Sequence, residues 1–378
     1  MTHSTVLAAE RIAPSSSPLQ PLPDQRSAWR SPSQPLTFDT AAHLVLDAHL
    51  EDGERSDIVA NQIRSWAFGS DDGSTMALAP LPLPGRDRLG TYPIRDLAFS
   101  QLCQRIGAPS SYLKALPAKL QMANLNWGLA RQESQALLRL AGNEVRAIVS
   151  ERYAALDDEL VLNMVADCLD RSGYGDDAMV RAISTGPHTV LRVTLPGEGR
   201  AVKVGDVIEH GIDIANSELG LRSVQVTPVT YRLVCSNGMR SWKSEATMRM
   251  RHVGDPDRLA DQLRDAIPVA FAEARGDLDR WARAMDTLID DALDEVESLR
   301  GFGLTKADVR AVAGEIVSEV PALPEDSFAE SVEQALQGQP TTAFDVANAI
   351  TSTARSKSTE ARLAIEEAGH RYLVRRTA

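Results

Sequence analysis

Residues 224–252 read VQVTPVTYRLVCSNGMRSWKSEATMRMRH, and this stretch decides the fold class. Apolar and polar side chains alternate along residues 224–236, which predicts a β-strand, and a second strand is expected after residue 238. Asn237 and Gly238 lie between the two runs. Asn-Gly is the strongest short-range signal for a hairpin, because a type I′ turn needs positive φ at both central positions. The stretch therefore predicts a β-hairpin with Asn237 and Gly238 as its structural turn.

The predicted hairpin has two unlike faces. A two-residue turn sets Arg232 opposite Lys243 and Leu233 opposite Trp242, so one face is apolar and the other is basic, with Glu245 as its acid. Like charges that face each other in a sheet cost roughly a few tenths of a kcal/mol. A bound anion such as a phosphate would offset that cost. The alternative is an outer face that contacts only water, and the hairpin alone does not separate the two.

The basic face supplies the candidates for nucleic-acid binding. Guanidinium and ammonium groups contact phosphates, whereas an aromatic ring such as that of Trp242 or Tyr231 can stack on a base. The predicted pairing places both aromatic rings on the apolar face, which counts against stacking. The nucleic-acid-binding candidates are Arg232, Lys243, Arg249, Arg251, Arg240 and Trp242.

The pattern on either side of the hairpin completes the fold class. Alternating runs predict strands at 189–195, 201–217 and 224–236. Apolar residues three and four positions apart after Pro256 predict a long amphipathic helix, with Pro268 bending or beginning it. We predict an α+β fold: a central antiparallel sheet with a basic β-hairpin, flanked by an N-terminal helical part and a C-terminal set of amphipathic helices. Further C-terminal helices are expected around residues 306–319, 342–354 and 358–373.

Composition changes along the chain indicate four regions. The first is rich in Ser, Pro and Gln and lacks a hydrophobic period, which is typical of disorder. The predicted regions are a disordered tail at 1–36, an N-terminal extension with a Pro-rich connector at 37–93, an α+β core at 94–255, and a helical C-terminal region at 256–378.

Two polar turns within the predicted core stand out. The run 144–156 reads as a strand and a turn into a helix, for which Asp157 or Asp158 is a plausible N-cap. After the strand ending near residue 215, a polar triplet leads to a glycine. Asn216 and Gly220 are therefore assigned to a structural turn, with the Asn side chain bonding local backbone.

Cysteine content and hydropathy argue against a secreted, disulfide-based protein and against a membrane-spanning protein, while the charge pattern leaves a basic surface possible. The net charge is −12, yet residues 180–252 hold 10 Lys/Arg against 6 Asp/Glu, so a local basic surface is compatible with an acidic chain. The three cysteines, Cys103, Cys168 and Cys235, show no CxxC spacing, which favours a reducing cytosol. The N-terminus lacks a secretory pattern, and no apolar run approaches the roughly 20 residues of a membrane span. We expect a cytoplasmic protein without a membrane partner.

The sequence predicts no catalytic residue, no metal ligand and no cofactor. The phosphate-binding, dinucleotide-binding and serine-hydrolase motifs are absent. His188, His210 and His252 match no metal-ligand spacing. A hydrolase or nuclease built around Cys235, His252 or Asp255 is the least favoured alternative.

Several segments together resemble the phage/plasmid-like protein family known as domain of unknown function 932. They are LCQRIGAPSSYLKALP with NLN (residues 102–126), VRAIVSERYAALDD (145–158), IANSELGLRSVQVTPVTYRLVCSNGM (214–239), MRHVGD (250–255) and TAFDVANAITSTAR (342–355). The resemblance covers residue 90 to the end of the chain. It carries no catalytic residues over to this sequence.

The resemblance implies a product of phages, plasmids or integrated elements, and such genes often handle DNA. We therefore expect a mobile-element DNA-binding protein that binds or anneals single-stranded DNA in recombination or replication, as a homo-oligomer. A curved antiparallel sheet with flanking helices is also similar to what single-strand-annealing proteins use, which is a fold-level analogy. The alternative is a non-enzymatic oligomeric interaction protein that acts on host defence.

Overall fold

Antiparallel strands occupy the centre of the molecule, as the alternating pattern predicts. A computed structural model describes residues 18–24, 28–58, 63–70, 75–80, 91–203, 206–233, 237–241, 247–316 and 341–378. The helices are α1 (Phe38–Asp52), α2 (Asp96–Ile106), α3 (Ser110–Ala115), α4 (Ala118–Ala130), α5 (Asp158–Arg171), α6 (Pro256–Asp286), α7 (Ala292–Ser298), α8 (Lys306–Ile316), α9 (Ala343–Ser352) and α10 (Thr359–Thr377).

The strands fall into one large and two small sheets. They are β1 (Ala28–Arg30), β2 (Leu36–Thr37), β3 (Arg55–Ile58), β4 (Trp66–Gly69), β5 (Ala77–Pro80), β6 (Tyr92–Pro93), β7 (Ala136–Ala141), β8 (Glu144–Ser150), β9 (Met179–Thr185), β10 (Thr189–Thr194), β11 (Arg200–Lys203), β12 (Asp206–Asn216), β13 (Val224–Arg232), β14 (Asn237–Arg240) and β15 (Met248–Met250). The large sheet has the order β1-β9-β10-β12-β13-β14, with β2, β11 and β15 pairing at its sides. The small sheets are β3-β7-β8 and β4-β5-β6. The α+β class is confirmed.

Helices cover both faces of the large sheet. One face is apolar, and residues such as Leu191, Ile212 and Val226 pack there against α1, α5 and the first half of α6. The other face lies under α10, where Leu363 packs on Val190 and Ala215. Because both faces are covered, the polar residues of the alternating pattern are buried rather than solvated.

Buried ion pairs fill the face under α10. Arg192 and Asp213 lie directly opposite each other on β10 and β12, and two guanidinium nitrogens bond the carboxylate at 2.8 Å each. Glu366 of α10 accepts from the same guanidinium at 2.5 Å, and Arg240 of β14 contacts Asp213 at 2.9 Å. Neither side chain of the Arg192–Asp213 pair is exposed. The network fixes α10 to the sheet, since only paired charges are tolerated at this depth.

The predicted turn at Asn237-Gly238 is wrong. Both residues belong to β14: Asn237 faces Arg232 and Gly238 faces Tyr231, so the connection runs through residues 233–236. Gly238 has no positive φ. A Cβ atom at this position would overlap the guanidinium of Arg192, so the glycine allows a close approach across the sheet instead of a tight turn.

The correction changes the proposed basic face. Arg232 does not face Lys243 across the hairpin, and Lys243 and Trp242 lie outside the described residues. Arg232 instead makes a bidentate contact with Asp206, with nitrogen–oxygen distances of 2.5–2.8 Å. Arg240 is buried, and Tyr231 is only 4% exposed, which rules out base stacking by this ring in the folded state.

The N-terminal boundaries also need correction. Residues 1–36 are not a uniform tail: β1 pairs with β9, and Leu19 is buried, its N–H donating to Gln121. Residues 37–93 hold α1 and four strands rather than an extension and connector alone. Residues 1–17 and most of the Pro-rich stretch, 81–90, lie outside the described residues.

The C-terminal prediction is largely confirmed. The three expected helices correspond to α8, α9 and α10. The long helix is α6, which begins at Pro256, contains Pro268 and ends at Asp286. None of the described helices is both long and apolar enough to cross a bilayer.

Asp277 joins α6, α10 and the end of β14. Its buried carboxylate accepts hydrogen bonds from Ser241 Oγ at 2.8 Å and from the ring of His370 at 3.1 Å. Burial alone would raise the pKa of Asp277, but the contacts with His370, Ser241 and Arg280 together outweigh burial and hold the pKa below its ordinary value. A carboxyl with a lowered pKa stabilises the fold at pH values above its ordinary pKa. That contribution is lost as the pH falls from the ordinary pKa through the lowered one.

We therefore expect Asp277→Asn to lower the free energy of unfolding by about 1.5–3 kcal/mol at neutral pH. The difference from wild type should shrink as the pH falls below 3.8, the ordinary value for Asp. Urea denaturation over a pH series measures it. Asp279→Asn, an exposed carboxyl on the same helix, is the matched control and should stay within about 0.5 kcal/mol of wild type. A pH-independent difference at position 277 would contradict the assignment.

Candidate functional site

An open cleft with a volume of about 580 Å³ lies where α2, the end of β8, the loop before β13 and the segment after β15 meet. Gln101 of α2 fixes this junction. Its amide donates to Leu219 O at 2.8 Å and its carbonyl accepts from Ile148 N–H at 2.7 Å. Gly220 closes the junction with a φ of +73°, and a Cβ atom there would lie 2.9 Å from Val149. A positive φ of this kind is typical of a glycine in a turn.

Positive charge lines this cleft. Its arginines are Arg105, Arg222 and Arg251, and no Asp or Glu is among its described lining residues. Arg251 is exposed, whereas Arg105 and Arg222 are half-buried. We call this feature the arginine cleft. Its other lining residues are Gln101, Gln104, Ile148, Val149, Ser150, Tyr153, Gly220, Leu221, Ser223, His252 and Val253.

Burial lowers the pKa of two arginines of the cleft. Desolvation lowers the pKa of Arg105 below its ordinary value. Desolvation, followed by the positive charge of Arg240, lowers the pKa of Arg222. Arginine still remains protonated at neutral pH. The cleft therefore holds two partly dehydrated cations. They donate hydrogen bonds to neutral oxygens, Ile148 O at 3.4 Å and Gln225 Oε1 at 3.3 Å, while Glu367 and Glu360 act on Arg222 only through their charges.

A ring stack forms the inner wall of the cleft. Tyr153 and His252 are parallel, with ring centroids 4.8 Å apart, and the Arg139 guanidinium lies 5.4 Å from the Tyr153 centroid. Burial lowers the pKa of His252, so its ring is neutral at pH 7. Because Tyr153 is contacted by His252 and Arg139, it is a rigid wall rather than a platform for a stacked base.

The structure separates the predicted nucleic-acid-binding residues into three groups. Arg232 and Arg240 are ion-paired and at least partly buried. Lys243 and Trp242 lie outside the described residues, as does Cys235. Arg249 and Arg251 are exposed on and just after β15. Sequence reasoning missed Arg105 and Arg222, although both lie in segments that carry the family resemblance.

The other histidines and acids considered earlier have structural roles. His188 contacts Glu360, and His210 is fully buried near Glu198. Asp255 caps α6 by accepting from the Asp257 N–H at 3.1 Å.

A second, smaller cavity lies on the other side of the 217–219 loop. Its volume of about 20 Å³ accommodates one water-sized occupant. His49 at the end of α1, Asp158 at the start of α5 and Glu218 in the loop meet there, all buried. Among the described residues, this is the one group of three potential metal ligands whose donor atoms lie within 4.8 Å of one another. We call it the His–carboxylate cavity.

Local folding explains how these groups converge. Asp157 occupies the N-cap position of α5, but its side chain bonds Arg139 and does not cap the helix. Glu218 takes that role, accepting from the Asp158 N–H at 2.9 Å. Asn216 holds the other end, donating to Asp158 Oδ1 at 2.7 Å and to Leu156 O at 2.9 Å. Asn216 thus bonds residues far away in sequence, not the local backbone predicted for it.

Charge–charge contacts set the protonation of the cavity. Burial alone would raise the pKa of Glu218, but the positive charges of Arg146 and His49 outweigh it and hold the pKa at about 2. Burial alone would lower the pKa of His49, but its hydrogen bond to Asp158 and the carboxylate charges raise it. Both ring nitrogens face carboxylates, at 3.2 Å to Asp158 and 3.6 Å to Glu218.

The fold and the two cavities define an α+β protein in which a single loop, residues 217–223, separates an arginine cleft from a buried His–carboxylate cluster. The chain belongs to the family described as Domain of unknown function (DUF932), whose model matches residues 145–372, more than half of the chain. The resemblance inferred from the sequence is confirmed over residues 145–372, and the segment at 102–126 lies outside the match. No curated protein and no solved structure matches the chain.

Proposed function

We propose that the protein binds single-stranded DNA along the arginine cleft. The observation that carries the proposal is the lining of the cleft, which includes Arg105, Arg222 and Arg251 without a carboxylate among the described lining residues. Guanidinium groups bind phosphate through paired N–H donors that match its geometry. Arg249 extends the basic surface beyond the cleft along β15.

Energetics favour an anion at this position. Arg105 and Arg222 are partly removed from water, which costs free energy. The charges of Glu367 and Glu360, which lie outside the cleft lining, offset this cost only in part for Arg222, because its pKa is still lowered. A phosphate brought into the cleft supplies the missing negative charge. The ion-paired Arg232 and Arg240 make weaker candidates, because their charges are already matched by Asp206 and by buried acids.

The shape of the cleft favours a single strand. A volume of about 580 Å³ between a helix and two loops admits part of one strand. Leu221 and Val253 are 43% and 56% exposed at the cleft and provide apolar contacts for sugars or unstacked bases. Grooves for single strands combine basic backbone contacts with such surfaces. Because the Tyr153 ring is contacted by both Arg139 and His252, we expect little base-sequence preference.

The family resemblance supports a role in mobile elements. Four segments that carry it, including those with Arg105, Tyr153, Arg222 and His252, meet at this one cleft. We infer that the DNA is handled in recombination or replication, by binding or annealing. The homo-oligomeric state and the cytoplasmic location remain predictions.

Fluorescence anisotropy with a labelled single-stranded oligonucleotide over a salt series tests the proposal. Three or four phosphate contacts should give a slope of log affinity against log salt of about −2 to −3, since each contact with a single strand contributes roughly −0.7. A duplex of the same sequence is the comparison and should bind more weakly. Undetectable binding at low salt, or affinity that does not change with salt, would overturn the proposal.

A further inference from the structure

Two aromatic side chains on the helices next to the arginine cleft are open to solvent. Among the described residues, the exposed Phe, Tyr and Trp side chains are Tyr112 of α3 and Trp127 of α4, at 59% and 66% exposure. All other described aromatic rings are at least partly buried. Exposed rings of this kind are the surfaces on which the bases of a single strand stack.

Both rings lie in a stretch of the chain that contains no acid. The chain has 52 Asp and Glu among its 378 residues, about one in seven, yet residues 97–132 contain neither. We call residues 97–132 the acid-free segment. Its basic residues are Arg105, Lys114, Lys119 and Arg131. Lys114 pairs with Asp96 just before the segment, whereas Lys119 and Arg131 are exposed. The local charge therefore complements a polyanion.

Trp127 is the stronger candidate of the two rings, because a guanidinium already lies over it. Arg131 follows four positions later, which brings the two side chains to the same side of the helix. Its guanidinium carbon lies 4.7 Å from the centroid of the Trp127 ring. The contact holds the cation against the negative face of the indole. With the side chain 66% exposed, the rest of the indole surface remains accessible to a flat ligand.

Tight packing of α4 on α2 brings Trp127 close to the arginine cleft. A Cβ atom on Gly128 would lie only 3.0 Å from the side chain of Ile106, so the glycine allows this close approach. Gly128 follows Trp127, and Ile106 follows Arg105 of the cleft lining. Because consecutive Cα atoms are about 3.8 Å apart, Trp127 and Arg105 are separated by on the order of 10–15 Å. A few nucleotides, at roughly 3.4 Å each in a stacked strand, span that distance.

We propose that a base of the DNA strand in the arginine cleft stacks on Trp127, beside Arg131. This inference rests on the proposed function and adds the acid-free segment to the path of the strand. A single strand covers an exposed ring with a base and matches nearby positive charge with phosphates, whereas an apolar segment of a second copy would cover only the ring. Stacking uses the face of a base and leaves its pairing edge free, as annealing requires.

Fluorescence anisotropy with a labelled single-stranded oligonucleotide and Trp127→Ala tests the stack. We expect the affinity to fall by about 5-fold or more, because each base stacked on an aromatic ring contributes roughly 5- to 150-fold. The slope of log affinity against log salt should not change, since no phosphate contact is lost. Trp127→Phe keeps a ring and should retain most of the affinity. The exposure of Trp127 predicts unchanged melting temperatures.

Leu120→Ala is the matched control, because Leu120 is a 53% exposed apolar residue of the same helix that offers no ring face. This variant should bind the oligonucleotide within about 2-fold of wild type. An oligonucleotide of the same length with abasic sites provides the second control. Wild type should bind it more weakly than the intact strand, and Trp127→Ala should then cost little, since no base remains to stack.

The outcomes separate the stack from the proposed function. Equal affinities of wild type and Trp127→Ala for the intact strand would overturn the stack and leave DNA binding by the cleft in place. A wild-type protein that binds no single strand would overturn both. If Trp127→Ala and Leu120→Ala both dissociated a DNA-free oligomer in sedimentation, without a selective loss of DNA affinity at Trp127, this face would be an interface between copies and the stack would be wrong.

Discussion

Arg192→Met is expected to lower the free energy of unfolding by about 3 kcal/mol or more. The guanidinium is fully buried between Asp213 and Glu366, and its removal leaves both carboxylates without their shared partner. Breaking a buried ion pair by deleting one member costs about 3–5 kcal/mol, because a charge is left uncompensated. Arg240 still contacts Asp213 and Arg362 still contacts Glu366, which places the expected loss near the lower end.

Urea denaturation followed by circular dichroism measures this loss. Arg200→Met is the matched control: Arg200 also pairs with a carboxylate, Asp279, but the two side chains are 48% and 66% exposed. An exposed pair contributes at most about 1 kcal/mol. If Arg192→Met cost no more than Arg200→Met, the network under α10 would not be what holds that helix to the sheet.

The same network explains where sequence reasoning succeeded and where it failed. Alternation along 189–232 correctly predicted strands, because it reports that successive side chains point to opposite faces. It does not report what covers each face. Polar strand residues such as Arg192 and Asp213 could therefore face either solvent or a covering element, and in the structure α10 buries them. The helix that covers them lies far along the chain, and no local pattern links it to the sheet.

The turn was predicted at the wrong residues for a related reason. Asn-Gly is a turn signal only when the glycine is used for positive φ. Here Gly238 is required because the Arg192 guanidinium approaches its Cα from a strand more than forty residues earlier. A tight turn and a close approach of another side chain both favour glycine. The Asn-Gly dipeptide alone therefore does not show which of the two requires it.

The candidate site was only partly predictable. The Asn216–Gly220 turn was singled out from its polar sequence, and it proves to separate the two cavities. His49 was missed because residues 37–93 were assigned to an extension outside the core. Its position four residues after buried Val45, on the inward face of α1, was the signal that could have identified it. Its distance from Asp158 and Glu218 in sequence matches no ligand motif.

The double variant Arg222→Glu/Arg251→Glu is expected to weaken binding of single-stranded DNA by about 100-fold or more. Each replacement removes a phosphate contact and places a negative charge in a cleft that has no carboxylate among its described lining residues. Like-charge contacts at an interface cost several kcal/mol, which makes the estimate of about 2.7 kcal/mol for both sites conservative. The salt slope should also flatten by about 1.4, from two lost contacts of roughly 0.7 each.

A change of total charge would weaken DNA binding anywhere on the surface, so the control must carry the same change. Arg171→Glu/Arg200→Glu alters two exposed arginines outside the cleft lining by the same amount. At 0.1 M salt, repulsion between charges more than about 10 Å apart is screened. At that salt concentration this variant should therefore bind DNA with nearly the affinity of wild type. Equal loss in both variants would mean that DNA responds to net charge alone. If only the Arg222→Glu/Arg251→Glu variant loses affinity for single-stranded DNA, and the melting temperatures are unchanged, the strand lies in the arginine cleft.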